Sequence, residues 1–251
     1  MGGILETLTF KKYGMKIKLN QITALIGPES SGKTTIFKLL SNKVKNDSVY
    51  LDRKKLNDYK IDFLRKNVMC CFDIEEFNTD YVKEELAYFL KKFKISDSDI
   101  SLRVSQMTHY FHIEDIIDYK INALNVEEKC LIKILSFLIV SPLILGIDNL
   151  LNYISYESAQ LVIKYAKERN IALIYATTDS EKLIFADSIH IIHKFKSIRS
   201  GSFDEIFKDK IIREMGLEMP FLKELNEYLK DYELTDRDFS SINDGVNSLW
   251  K

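Results

Sequence analysis

The segment Gly27-Pro28-Glu29-Ser30-Ser31-Gly32-Lys33-Thr34 places a lysine and a threonine directly after the second of two glycines. An apolar run, Ile22 to Ile26, leads into it, and a helical pattern, Thr35 to Val44, leads out. A loop of this spacing between strand and helix turns successive backbone N–H groups towards one point at a helix N-terminus, where the dipole adds favourable potential for an anion. The ligand that fits such a cradle is a phosphate chain. Gly32 lets the backbone approach closely, Lys33 reaches the β- and γ-phosphates as a point charge, and the Thr34 hydroxyl completes a Mg²⁺ shell. The expected nucleotide contacts are Gly27, Pro28, Glu29, Ser30, Ser31, Gly32, Lys33, Thr34 and Thr35.

The rest of the chain agrees with an α/β frame around that loop. Val68 to Phe72, Leu143 to Ile147, Ala172 to Ala176 and Ser188 to Ile192 join Ile22 to Ile26 as short apolar runs of buried-strand type, with amphipathic helices between them. Strand–helix alternation predicts a mainly parallel sheet covered on both faces, with ligand sites at the C-terminal ends of its strands. From Asp80 to Leu124 the strand signals stop, and Val82 to Phe93, Asp97 to Phe111 and Ile113 to Asp118 read as helices of an inserted lobe. After Gly201 helical patterns return through Phe207, Ile211 and Phe221 to Leu229, before a polar tail ending in Leu249-Trp250. The division expected is a nucleotide-binding domain over 1–204 and a helical extension over 205–251. Within the former the α/β core is about 1–79 and 126–204, and the helical subdomain about 80–125.

Composition excludes several functions. With 36 basic and 37 acidic side chains the formal charge is −1, so no global field favours nucleic acid or an anionic membrane surface. Cys70, Cys71 and Cys130 have neither metal-ligand nor disulfide spacing, which points to a reducing compartment. The opening residues lack a signal-peptide apolar segment, and Ile134 to Ile147 is too short and too interrupted to span a bilayer. His109, His112, His190 and His193 show no metal-site pattern. A second acid does stand out: Leu143 to Ile147 closes on Asp148, the arrangement that brings a carboxylate to the Mg²⁺ of a phosphate-loop protein. The plainer role for Asp148 is a turn after a strand.

Taken together, these segments resemble an ABC-type ATPase subunit, and more closely the ATPases of energy-coupling-factor (ECF) importers. The resemblance rests on Gly27 to Thr35, on Tyr81 to Tyr88, on Ser141 to Asp148, on Ser200 to Phe207 and on Met215-Gly216-Leu217-Glu218-Met219-Pro220-Phe221, which is similar to the segment opening that branch's C-terminal helices. It implies ATP and Mg²⁺ as ligands, with Thr34 and Asp148 on the metal. It also implies a second ABC-type ATPase subunit as partner in a homo- or heterodimer, and a membrane coupling subunit received near Glu76. The expected place is cytoplasmic, peripheral at the inner face of the cell membrane.

The same resemblance exposes departures. Leu124-Asn125-Val126-Glu127-Glu128 stands where the family has its glycine-bearing signature, and Glu127 there is expected to repel phosphate. Asn149 replaces the glutamate that polarises attacking water, a change worth about 10²–10⁴-fold in rate. Thr178 takes the place of the switch histidine, Asp73 that of the Q-loop glutamine, and Ser155 that of the D-loop aspartate. Glu29 and Ser30 replace the usual Asn and Gly inside the phosphate loop, and the base-stacking aromatic is either Phe10 or Tyr13. The leading expectation is an ATP-binding importer subunit with hydrolysis reduced or lost. The alternatives are a divergent working ATPase, in which Asp73, Glu127 or a reorganised water substitutes, and a soluble phosphate-loop protein outside transport.

Overall fold

The computed structural model describes residues 5–42, 44, 47–72, 76–208, 219–235, 237 and 239. Its centre is a six-stranded sheet built from β3 (Thr23–Ile26), β6 (Val68–Cys71), β7 (Ile144–Asp148), β8 (Ala172–Ala176), β9 (Ser188–His193) and β10 (Lys196–Gly201). The strand order is β10-β9-β3-β8-β7-β6. Every pairing is parallel except that of β9 with β10, so the open ends of β3, β6, β7 and β8 all face one way.

All of these strands but the edge strand β10 are buried on both faces, which is why they read as unbroken apolar runs. Alternate residues diverge: Ala24, Ile26, Leu145, Ile147 and Tyr175 enter one core, while Leu25, Ile144, Ile174 and Ile192 enter another. The second core lies under a four-stranded antiparallel sheet that the sequence pattern did not announce. It is made of β1 (Thr7–Phe10), β2 (Met15–Lys18), β4 (Val49–Leu51) and β5 (Lys54–Lys55), ordered β2-β1-β4-β5. Leu8, Phe10, Met15 and Ile17 turn inward from it onto Ile36, Phe37 and Leu40 of helix α1 (Lys33–Leu40).

Helix α1 is shorter than the pattern Thr35 to Val44 predicts. Its C-cap is Ser41, whose N–H bonds to the Phe37 carbonyl, and Asn42 then takes a left-handed φ of 55°, which ends the helix. A further helix, α2 (Ile61–Asn67), leads into β6. The inserted lobe holds α3 (Val82–Lys92) and α4 (Asp97–Tyr110), but Ile113 to Asp118 provides only a 3₁₀ turn at Glu114–Ile116. The lobe closes on itself where Val82 N–H meets the Tyr119 carbonyl and Ile121 N–H meets that of Asp80.

Helix α5 (Val126–Leu138) joins the lobe to the sheet. Its Ile132, Ile134 and Leu135 are fully buried, in one continuous core with Leu86 and Leu90 of the lobe and Leu145 and Ile147 of the sheet. Beyond it lie α6 (Tyr156–Glu168), α7 (Phe203–Phe207) and α8 (Phe221–Asp231). Helix α7 starts on a capping box between Ser202 and Glu205 and spans the position where the sequence divides core from extension. Ile211, Met215 to Glu218 and Leu249-Trp250 fall outside the described residues.

Candidate functional site

The loop from Gly27 to Thr34 joins β3 to α1 at the open ends of the parallel strands. Two of its glycines are required by space. A Cβ on Gly27 would stand 2.1 Å from the Ile192 carbonyl oxygen, and one on Gly32 would stand 2.7 Å from the Phe195 ring, with φ at +107°. Ser30 carries a positive φ of 59° without glycine's freedom. Glu29 and Ser30 are exposed at the loop apex, Pro28 is half-buried, and Ser31 is buried.

Lys33 is only 6% exposed. Its ammonium lies across the loop and donates to the carbonyls of Gly27 (2.6 Å) and Pro28 (3.0 Å) and to Ser31 Oγ (3.4 Å). Burial lowers its pKa from the ordinary value, while Asp148 and then Glu29 act in the opposite sense. Asp148 closes β7 and is equally buried; burial raises its carboxyl pKa, against a hydrogen bond with Thr34 and the charge of Lys33. The Thr34 hydroxyl and the Asp148 carboxylate are thus in contact. Two hard oxygen donors so placed are what Mg²⁺ takes when phosphate oxygens and waters fill the rest of its shell. Among the described residues no group of three or more His, Cys, Asp or Glu gathers as a metal site, and a Mg²⁺ held mainly through phosphate needs none.

The loops following β7 and β8 are built differently. Asn149 has a left-handed φ of 60° and starts a 3₁₀ turn, Leu150–Tyr153. Its amide donates to Asp148 Oδ1 at 3.4 Å, and its own Oδ1 is buried without a hydrogen-bond partner. Such an oxygen accepts a hydrogen bond from water but cannot take the proton, as a carboxylate would. Thr177 Oγ1 donates to Asn152 Oδ1 (2.5 Å), and Asn152 Nδ2 donates to Thr178 Oγ1 (3.1 Å). Both threonine hydroxyls are therefore held by one asparagine. Ser155 has a structural task as the N-cap of α6, accepting from Ser158 N–H at 3.2 Å.

Two expectations change. Glu127 does not simply present a free negative charge, because its carboxylate accepts the Ser155 N–H at 2.8 Å and ties the start of α5 to the loop after β7. Asn125 and Glu128 form a reciprocal capping box, both bonds 2.9 Å, so donors at that helix N-terminus are already satisfied. Phe10 and Tyr13 are 0% and 2% exposed, and Tyr13 spends its hydroxyl on the Gly32 carbonyl at 3.0 Å, so neither ring offers a free face. The exposed aromatic at the loop is Phe195, which sequence reasoning missed because no hairpin turn signal marks it.

Asp73 lies outside the described residues. Glu76 is exposed, and its backbone carbonyl accepts a hydrogen bond from Lys133 Nζ, a buried ammonium on α5 that also stands 4.9 Å from the Phe77 ring centre. His190 is buried against Ser197 Oγ at 2.9 Å, and burial lowers its pKa to about 4. Among the described residues no helix is long and apolar enough to cross a membrane.

The family model described as "ABC transporter" matches residues 10–152. The chain is 27% identical over 232 residues to the energy-coupling factor transporter ATP-binding protein EcfA1 of Staphylococcus aureus (strain USA300), covering 89% of this chain and 86% of that protein. In structure it is similar to cbiO1 from Clostridium perfringens, part of the ABC transporter complex cbiONQ. That likeness has a TM-score of 0.72 at 22% identity and covers 89% of this chain and 99% of that one. A nucleotide-free ATP-binding cassette from an ABC transporter gives a TM-score of 0.69 at 16% identity over 85% of this chain and 100% of that one.

Proposed function

The chain belongs to the ABC transporter family, and from that membership we propose that it is the ATP-binding subunit of an ECF-type importer, holding ATP·Mg²⁺ with hydrolysis reduced or lost. The observation that carries this reading is the contrast inside one site. Lys33 and Thr34 on the phosphate loop stand beside Asp148 at the end of β7, whereas Asn149 and Thr178 fill the positions of the groups that would activate water.

In this reading the N–H groups of Gly27 to Thr35 and the Lys33 ammonium hold the phosphates, and Thr34 and Asp148 hold the metal. A Mg²⁺ held there would supply charge neutralisation for the phosphates. Asn149 orients a water without deprotonating it. Binding, not turnover, is the subunit's contribution, and a second ABC-type ATPase subunit provides the other half of the dimer. The domain division at 80–125 and 205–251 belongs to the same proposal. So does a cytoplasmic place at the membrane's inner face, with Glu76 meeting a membrane coupling subunit through charge complementarity.

The test is Mg²⁺-dependent ATP binding and phosphate release on the purified chain, alone and with a second ABC-type ATPase subunit from the same source. Binding without turnover is the expected result. Turnover by the chain alone that vanishes in Lys33→Ala would sink the claim of lost hydrolysis, and absence of binding would sink the nucleotide itself.

A further inference from the structure

The turn joining β9 to β10 is Lys194-Phe195, and both residues have positive φ, 45° and 61°. Two-residue hairpin turns of that geometry favour Asn, Asp or Gly, and a bulky side chain is strained there. Burial does not offset that strain, since Phe195 is 51% exposed.

The turn is nevertheless fixed to the phosphate loop. Phe195 N–H donates to the Ser31 carbonyl at 2.9 Å, and the ring fills the space beside Gly32 where a Cβ would come within 2.7 Å of it. Tyr13 backs the ring, centroid to centroid 6.3 Å with the planes inclined by 57°, and is itself held by its bond to the Gly32 carbonyl. One side of Phe195 is thus packed and positioned while much of the ring faces solvent.

Topology says which part of a ligand this ring meets. In the sheet, β9 flanks β3 on one side, and β8 then β7 lie on the other. Asp148 therefore sets the metal end of the site on the β7 side. A nucleotide whose phosphates occupy the loop carries its sugar and base away from that end, towards β9 and its turn. The two aromatics that the sequence resemblance offered for the base are buried.

We infer that Phe195 supplies the stacking face for the nucleotide base, a task the sequence resemblance assigns to the segment of Phe10 and Tyr13. This inference rests on the nucleotide reading above and adds the base-contacting residue to it. The chemistry recognised is a planar, π-rich ring. Stacking tolerates any base because every base has a π-face, so it secures affinity more than a choice of ATP over GTP.

The experiment titrates ATP and inorganic tripolyphosphate, each with Mg²⁺, against the full chain and its Phe195→Ala and Phe195→Tyr variants by calorimetry. Phe195→Ala is expected to weaken ATP about tenfold and leave tripolyphosphate unchanged, with Phe195→Tyr close to the parent. Equal weakening of both probes would mean that Phe195 only braces the loop, and unchanged ATP affinity would mean that the base lies elsewhere. Either result overturns the inference while the nucleotide reading survives. A parent chain that binds neither probe overturns both.

Discussion

The two sides of the site follow different rules. At the β3–α1 loop and the end of β7 two charged side chains are buried together: Lys33 and Asp148 are both 6% exposed, the burial of Lys33 opposed by the charge of Asp148 and that of Asp148 by the Thr34 hydrogen bond and then the charge of Lys33. At the loops after β7 and β8, and at the start of α5, the side chains satisfy one another. Asn152 bridges Thr177 and Thr178, Ser155 caps α6, and Glu127 and Asn125 bond to backbone. The first region buries opposite charges together, and the second pairs its groups with one another or with backbone, save for the unpartnered Asn149 Oδ1. The two sets of groups meet on β7, where Asp148 ends the strand and Asn149 opens the loop beyond it.

The sharpest way to break this contrast is Lys33→Ala. Removing a buried ammonium that makes several charge-assisted contacts is expected to lower ATP affinity by about 100-fold or more, read by calorimetry. A fall of less than tenfold would erase the distinction between the regions. Next in size is repair of the other side. Restoring the water-activating groups in Asn149→Glu/Thr178→His is expected to raise phosphate release by about 10²-fold with ATP affinity little changed. No gain would show that the loops after β7 and β8 have departed in backbone as well as in side chain.

A third expectation concerns pH. The His190 pKa is lowered from 6.5 to about 4 by burial, so the folded state binds its proton more weakly than the unfolded chain. Stability therefore falls as pH drops from about 6.5 towards 4, by on the order of 2–3 kcal/mol in all. Replacement by Asn should flatten that part of the denaturation profile, and an unaltered slope would assign it to other groups. The smallest effect belongs to Glu127→Gln. The bond to Ser155 N–H is exposed and loses only its charge, so a change below about 1 kcal/mol is expected in urea unfolding. A larger loss would make that tie a structural keystone of the second region.

The legibility of these features in the sequence tracks how local their causes are. The phosphate loop and the buried parallel strands are written in consecutive residues, and β8 matches its apolar run, Ala172 to Ala176, end to end. The antiparallel sheet was not legible. Its strands are four residues or fewer, and β1 finds β4 across a long stretch of chain, pairing Leu8 with Leu51. Asp148 was found because an apolar run ends on it; Phe195 was not, because a Lys-Phe turn carries none of the usual turn residues. Nor can spacing show that Glu127 bonds to Ser155, or that Tyr13 faces inward, since both follow from packing between distant elements.

Helix α5 also spans between two parts of the molecule. Thirteen residues make it about 20 Å long, and its buried side chains share one core with the sheet. Lys133, near its middle, grips the carbonyl of Glu76, while the first turn carries Glu127 on its grip of Ser155. The surface at Glu76 and the loop beside Asp148 are thus tied to one and the same helix, the first at its middle and the second at its first turn.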